Sequence, residues 1–487
     1  MTQTSSAKIA RSSLWLTTSF VLAKFSQLIA QVVLARLLSP HDFGIWAMVL
    51  IVTMLSVLFK DGTIAGVLVY RGLDDKKLVD AVYSLGINIS VGMFVLQVLI
   101  GFPLAQFFGV PVLWPLTACV ALVFLIGAGA GSHGAVLSRQ MKFRELAICD
   151  TAAGFARYGG ALICAALGGG VWSFAAGEIA MALVDSVLKR WLSRYRFTYH
   201  FIPDLSAVGE VRGYISSLIG INLAVYANLN GDNFVIGRLL GTQALGYYNL
   251  AYQLAMLPVS ALSQINRVNF AALSQQDSES QRSYLCQALE LYALISAPIY
   301  GVAFVAAPWA IPLVFGSKWV AAVSIFQIVL VFAYARGFMA ILGTALNALN
   351  YPGINAAINW VLVPLSIPSY LLGARLGGTT GVAIAVALVM GFVATVWFWL
   401  VTCRVAGWKI GTLSEPIVLP TVTMSVTLAA VLAVPLPVYL QAYLQPLAIV
   451  LMYAIALSVF SAGRVPQMLL GVVKHSLNIG VKSVEGK

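Results

Sequence analysis

Charged residues are scarce in this sequence of 487 residues: Asp, Glu, Lys and Arg together make up 9%, whereas 60% of the residues are hydrophobic. A soluble domain carries about a quarter charged residues, so the composition excludes a water-soluble globular protein. Apolar runs of about 20 residues, long enough to cross a bilayer as helices, recur along the whole chain. Because lipid cannot pair free backbone groups, the expected fold class is an all-α polytopic membrane protein.

Cysteine and histidine are also rare, with five and four residues respectively. The cysteines form no Cys-x-x-Cys pair and the histidines are scattered singly, so no metal-ligand spacing is present. No Walker motif and no soluble catalytic segment occurs. We therefore expect no cofactor, no bound metal and no enzymatic activity.

The basic residues, which give the chain a net charge of +12, are distributed unevenly between the connections. We place about 14 transmembrane helices, centred near residues 24, 54, 94, 123, 157, 179, 225, 256, 295, 331, 363, 389, 425 and 454. The connections that follow odd-numbered spans hold only Arg36, Arg238, Lys318 and Arg375. The positive-inside rule then places both termini in the cytoplasm. The basic excess indicates membrane orientation and not binding to nucleic acid.

A short connector occurs twice in the chain. "ARLLSPHDFG", residues 35–44, and "GRLLGTQALG", residues 237–246, both read Arg-Leu-Leu, five residues and Gly, at an offset of 202 residues. They follow spans one and seven, so they share one side of the membrane. This predicts two pseudo-symmetric six-helix lobes, a transporter architecture that binds its substrate between the halves. The N-terminal lobe covers residues 1–200 and the C-terminal lobe residues 214–403. Two additional helices cover residues 416–462 and a basic cytoplasmic tail covers residues 463–487.

The linker between the lobes, residues 188–213, is the most basic segment of the chain, and residues 201–213 are its cytoplasmic end. We expect it to form a surface helix that touches anionic lipid.

Several predicted spans carry polar side chains, although a charge there costs about 2.5–3.5 kcal/mol by insertion scales. In spans one and seven they recur on one helical face, which we expect to line the interface between the lobes. Polar contacts between neighbouring helices are the alternative. In span ten, Arg336 could bind an anionic substrate group or pair with a carboxylate of a neighbouring helix. The candidate substrate-binding residues are Lys24, Gln27, Gln31, Asn222, Tyr226, Asn230 and Arg336.

Spans five and six form a predicted hairpin with charges at similar depths. Arg157 precedes the turn and Glu178 follows it, and Asp150 lies seven residues before Arg157. One interpretation is an ion pair between Arg157 and Glu178. The other is that Glu178 titrates and couples transport to an ion gradient, which makes all three residues ion-coupling candidates.

Three segments in order, "ARLLSPHDFGIWAMV", "NLNGDNFVIGRLLGTQALGYYNLAYQLAMLPVSAL" and "VFGSKWVAA", resemble the polysaccharide transporter, or Wzx-like, family. This family belongs to the multidrug/oligosaccharidyl-lipid/polysaccharide flippase superfamily. The motif positions, which we expect to fix tight turns and an adjacent gate, are Arg36, Asp42, Gly44, Asp232, Arg238 and Gly246.

The resemblance implies two lobes around a cavity and a bacterial inner-membrane protein. It also implies flipping of undecaprenyl-diphosphate-linked oligosaccharide to the periplasmic leaflet, with membrane lipid, a polysaccharide polymerase and export machinery as partners. An ion-coupled multidrug extruder of the same superfamily is one alternative. A membrane polysaccharide polymerase or ligase is another, but such enzymes need an extended outward-facing loop that the predicted connections do not provide.

Overall fold

The computed structural model is helical throughout the part of the chain that it describes. It describes residues 26–61, 68, 75–202, 212–260, 278–435 and 437–460. No β-strand occurs within these ranges. The all-α class predicted from the composition is therefore confirmed.

The helices follow one another with short connections. Up to residue 260 they include α1 (Ser26–Leu37), α2 (Pro40–Asp61), α3 (Lys76–Phe108), α4 (Leu113–Ile126), α5 (Ala130–Arg139), α6 (Phe143–Ala166), α7 (Trp172–Ser193), α8 (Arg212–Leu239) and α9 (Gly241–Ala255). From residue 278 onward they include α10 (Ser278–Phe315), α11 (Ala322–Ala348), α12 (Pro352–Val386), α13 (Ala394–Ala406), α14 (Ile410–Ala433) and α15 (Val438–Phe460). A π-helical segment, Ala387–Val393, joins α12 to α13.

The helices present apolar side chains to their surroundings, as expected for a protein surrounded by lipid. Leu99 and Ile163 are each 65% exposed, and Ile455 is 63% exposed. Six of the described helical stretches are long and apolar enough to cross a membrane, and the bent pair α4–α5 makes a seventh. The chain is thus a multi-pass membrane protein, while the count of fourteen spans stays a prediction.

The stretch from Pro352 to Ala406 is not one straight rod. A helix of 55 residues would be about 83 Å long, far more than the roughly 30 Å of a hydrocarbon core. The backbone leaves helical geometry at Gly377 and at Gly378, where φ is 57°. A Cβ atom on Gly381 would lie 2.1 Å from the carbonyl oxygen of Gly373, so the chain reverses here. The reversal falls between the eleventh and twelfth predicted spans.

The chain divides into two compact units. Unit 1 comprises Met1–Leu250, Val314–Ala321 and Val363–Val382, and unit 2 comprises Ala251–Leu313, Ala322–Leu362 and Ala383–Lys487. In unit 1, α6 packs along α7 and α3 packs along α4. In unit 2, α10, α14 and α15 share a core. The units do not coincide with the predicted lobes, so the lobe boundaries stay a prediction.

The prediction of a surface helix in the linker is wrong for residues 194–202. Helix α7 ends at Ser193, and Arg194 has a φ of 51°, after which no helix forms up to residue 202. The segment instead lies along α3, whose polar side chains bind its backbone: the amide of Thr198 donates to Asp80 Oδ1 at 2.9 Å. The amide of His200 donates to Ser84 Oγ at 2.9 Å. These bonds to side chains replace the hydrogen bonds that a helix would supply.

Candidate functional site

The first connector, residues 35–44, is held at the start of α2 by a capping box. The carboxylate of Asp42 accepts hydrogen bonds from the amide of Ser39 at 2.9 Å and from its hydroxyl at 2.6 Å. The Ser39 hydroxyl oxygen accepts from the amide of Asp42 at 3.2 Å. Pro40 stands at the first helical position, where no amide hydrogen is needed. Asp42 therefore fixes the turn, as the motif analysis expected.

The second connector, residues 237–246, contacts the first in a reciprocal manner. A Cβ atom on Gly44 would lie 1.7 Å from the carbonyl oxygen of Thr242, and one on Gly246 would lie 1.8 Å from that of Pro40. Gly246 follows Gly44 by the repeat offset of 202 residues, and Thr242 follows Pro40 by the same offset. The hydroxyl of Thr242 also lies 2.5 Å from Nδ1 of His41. The duplicated connectors therefore meet about a local pseudo-twofold relation, with backbone pressed against glycine.

A third connector, residues 314–321, binds the end of α1 through main-chain oxygens. Lys318 Nζ donates to the carbonyl of Arg36 at 3.0 Å and to that of Leu38 at 2.6 Å. The indole of Trp319 donates to the carbonyl of Ala35 at 2.9 Å. These carbonyls end a helix and have no partner further along it, and a cation is favourable beside them.

The contact with the third connector runs in both directions. Arg36 Nε donates to the carbonyl of Val314 at the end of α10, at 2.8 Å. Partial burial lowers the pKa of the Lys318 ammonium, and the negative charge of Asp42 opposes this shift. The charged ammonium thus loses part of its hydration and gains carbonyl oxygens instead.

The second connector has a comparable contact with α3. The guanidinium of Arg238 lies over the ring of Phe107, 5.4 Å from its centroid, a cation–π geometry. A Cβ atom on Gly237 would lie 2.9 Å from the ring of Phe108. Arg36 and Arg238, equivalent in the repeat, therefore each bind the end of a different helix.

Asp232 joins the helices on either side of the second connector. The carboxylate, 3% exposed, accepts a hydrogen bond from the Tyr248 hydroxyl at 2.5 Å and one from the amide of Asn233 at 2.8 Å. Since Asp232 lies in α8 and Tyr248 in α9, the bond fixes the angle between the two helices.

The polar faces of spans one and seven are described only in part. Lys24 and the side chain of Asn222 lie outside the described residues. In α1, Gln31 is 8% exposed and Gln27 is partly buried. In α8, the Tyr226 hydroxyl donates to the carbonyl of Ile51 in α2, and the Asn230 amide donates to the carbonyl of Tyr226 at 3.1 Å. Tyr226 thus makes the contact between neighbouring helices that the sequence left open, and a substrate role for these residues stays a prediction.

Arg336 lies in α11, within unit 2, and its side chain is partly buried. It pairs with no carboxylate among the residues that the structure describes. Its electrostatic neighbour is Tyr252, whose ring centroid lies 5.9 Å from that of Phe332, one helical turn before Arg336. An ion-pair role for Arg336 therefore has no support within the described residues, and binding of an anionic group stays a prediction.

Arg157 and Glu178 form an ion pair, with 36% and 12% of their side chains exposed. The pairing predicted from their similar depths is confirmed. Helices α6 and α7 approach closely beside it, since a Cβ atom on Gly177 would lie 2.6 Å from the carbonyl oxygen of Arg157. A coupling role for Glu178 stays a prediction.

Asp150 lies in α6, in the field of a second pair between α7 residues. Lys189 Nζ and an oxygen of Asp185 are 2.8 Å apart, and both charges act on Asp150. Sequence reasoning did not assign the contacts of Lys318 and Trp319, although both residues lie in the quoted segment "VFGSKWVAA".

Folding and connectivity together define a class of protein: a polytopic helical membrane protein with the fold of the multidrug and lipid flippase superfamily. The structure resembles the lipid II flippase MurJ in an inward closed conformation, with a TM-score of 0.74, 14% identity, and coverage of 93% of this chain and 98% of that one. It also resembles an inward-facing multidrug resistance MATE family transporter, with a TM-score of 0.61, 16% identity, and coverage of 83% and 99%. At these identities the likeness establishes the fold alone.

The chain belongs to the polysaccharide biosynthesis protein family, whose profile matches residues 33–324, and the resemblance to the Wzx-like transporters is confirmed. It is 28% identical over 375 residues to the lipopolysaccharide biosynthesis protein WzxC of Escherichia coli (strain K12), covering 74% of each chain. It is 24% identical over 349 residues to the teichuronic acid biosynthesis protein TuaB of Bacillus subtilis (strain 168), covering 66% and 72%. It is 26% identical over 336 residues to the succinoglycan biosynthesis transport protein ExoT of Rhizobium meliloti (strain 1021), covering 67% and 66%.

Proposed function

We propose that this protein is a flippase that moves undecaprenyl-diphosphate-linked oligosaccharide repeat units across the bacterial inner membrane by alternating access. The observation that supports this most is the reciprocal contact of the two repeated connectors at Gly44 and Gly246. The contact consists of backbone, glycine and one hydroxyl–imidazole pair. Such a contact can form and separate without leaving a buried charge unpaired, as a gate must.

The closed connectors form the periplasmic gate in this proposal, because they follow odd-numbered spans. Both termini then lie in the cytoplasm, and the substrate enters from the cytoplasmic leaflet. The diphosphate is held by cationic side chains, with Arg336 and Lys24 as the candidates. The planar fork of an arginine suits phosphate oxygens. A polysaccharide polymerase and export machinery receive the product on the other side.

An ion-coupled multidrug extruder is the second candidate, because MATE transporters share the fold. Its typical substrate is an amphiphilic cation. A partly buried Arg336 without a described carboxylate partner would repel such a substrate, which favours the flippase.

The test is flipping by the purified protein in proteoliposomes that contain a fluorescent lipid-linked oligosaccharide in both leaflets. A reductant that cannot cross the membrane reports how much substrate reaches the outer leaflet. In a chain whose five cysteines are replaced by alanine, the pair His41→Cys and Thr242→Cys should form a disulfide that stops flipping, and reduction should restore it. No flipping by the wild type, or undiminished flipping by the cross-linked protein, would refute the proposal. Each single cysteine variant is the matched control.

A further inference from the structure

One face of α11 differs from the rest of that helix. Arg336, Ala340 and Gly343 are partly exposed and Asn347 is exposed, and their spacings of four, three and four residues put them in one row. The residues between them, including Phe338, are mostly buried. A row with an arginine in mid-span does not face lipid, because a charge there is too costly. This row therefore borders a space lined by protein and accessible to water.

Two asparagines of α12 join this row at the end opposite Arg336. The Asn355 amide donates to Asn347 Oδ1 at 3.0 Å and to the carbonyl of Gly343 at 3.2 Å. The Asn359 amide donates to Asn355 Oδ1 at 3.1 Å and to its carbonyl at 2.9 Å. The side chains of Asn347 and Asn355 are therefore held in fixed orientations by α11 and α12 together.

The hydrogen-bonding groups that remain match a hydroxyl-rich ligand. The Asn347 amide nitrogen carries two hydrogens and donates to none of the residues that the structure describes. Asn355 Oδ1 accepts one described bond and has a second lone pair. A sugar hydroxyl both donates and accepts, so a pair of adjacent amides can bind it through both functions. The charged residue of the row, Arg336, lies eleven residues away from Asn347, about 16 Å along the helix.

We propose that Asn347 and Asn355, with Gly343 between them and Arg336, form a binding site for the outer sugars of the lipid-linked substrate. The inference rests on the proposed function. A diphosphate at Arg336 places its first sugar beside the arginine, and sugars further along the chain reach the asparagines. Gly343 leaves room for them, since a Cβ atom there would meet only ordinary contacts, 3.6 Å from Phe398 and 3.7 Å from the Asn355 amide.

The test compares two substrates in the proteoliposome assay. One is lipid-linked oligosaccharide extracted from cells that produce this chain, and the other is the same lipid trimmed by glycosidases to its first sugar. The variants are Asn347→Ala, which removes an exposed amide, and Gly343→Ala, which fills space without a clash inside the protein. Gly353→Ala is the matched control, because Gly353 is exposed and a Cβ atom there meets nothing within 4 Å.

Loss of one hydrogen bond of about 1 kcal/mol should slow flipping of the full-length substrate about fivefold. The trimmed substrate should be flipped at the wild-type rate, since one sugar does not reach Asn347. Equal slowing of both substrates by the two variants, or no slowing of the full-length substrate, would overturn the inference while the wild type remains active. A wild type that flips neither substrate would refute the proposed function and this inference with it.

Discussion

Adding a methyl group at Gly44 or Gly246 should open the contact between the repeated connectors. The new Cβ atoms would lie 1.7 Å from the Thr242 carbonyl oxygen and 1.8 Å from that of Pro40. A carbon and a carbonyl oxygen in contact are about 3.3–3.6 Å apart, so the connectors must separate by about 1.6 Å or more. Overpacking of this kind typically costs about 1–3 kcal/mol. Because only the closed contact bears this cost, the ratio of closed to open protein should fall about 5- to 150-fold.

The double variant gives a sharper result. One outward movement of the connectors relieves both clashes, because each glycine faces the partner of the other. The combined effect of Gly44→Ala and Gly246→Ala should therefore be clearly smaller than the sum of the single effects, whereas independent sites add.

The measurement is the initial rate of disulfide formation between His41→Cys and Thr242→Cys in membranes, with the native cysteines replaced. Gly92→Ala in α3 is the control, since a Cβ atom there meets nothing within 4 Å. The thermal midpoint of each purified variant separates gate opening from unfolding. Wild-type cross-linking rates in both alanine variants, or strictly additive losses, would show that the reasoning is wrong.

Three further predictions concern charge and orientation. Lys24→Ala should abolish surface polysaccharide in cells without lowering the amount of protein in the membrane, and Lys24→Arg should retain part of the function; normal polymer from the alanine variant would exclude Lys24 from substrate binding. Glu178→Gln should lower the free energy of unfolding by about 2–3 kcal/mol, between the values for exposed and fully buried ion pairs, and adding Arg157→Met should restore stability in chemical denaturation. If Glu178→Gln alone leaves stability intact but removes gradient-dependent flipping, the coupling interpretation is correct instead. Cysteine at Pro111 should react with an impermeant thiol reagent added to cells and cysteine at Arg194 should not, and the reverse pattern would invert the topology.

The repeated connectors show what sequence reasoning can reach. The offset of 202 residues and the position of each connector after an odd-numbered span were enough to expect them on one side of the membrane. Their direct contact through Gly44 and Gly246 was not predictable, because a glycine at a turn has the same pattern whether or not another chain segment lies against it. The pair Arg157–Glu178 could be anticipated, since residue counts from a hairpin turn determine depth.

Other features needed the tertiary structure. Nothing local in the sequence says which helix end receives Lys318 and Trp319, since their acceptors are main-chain oxygens that every residue has. The extended segment after α7 was readable, because Tyr195, Phe197, Tyr199 and Phe201 alternate with polar residues at the period of a strand. The high basic content led instead to a surface helix, and the alternation was the better signal.

The third connector's choice of main-chain acceptors has a consequence for how this protein can change over generations. The oxygens at Ala35, Arg36 and Leu38 remain after any substitution there, whereas the donors belong to the side chains of Lys318 and Trp319. Genetic drift is therefore expected to be one-sided: a saturation library should recover many replacements at Ala35 and Leu38 that fit their burial, and few at Lys318 and Trp319. The two partners of a single contact would thus diverge at different rates among descendants of one gene.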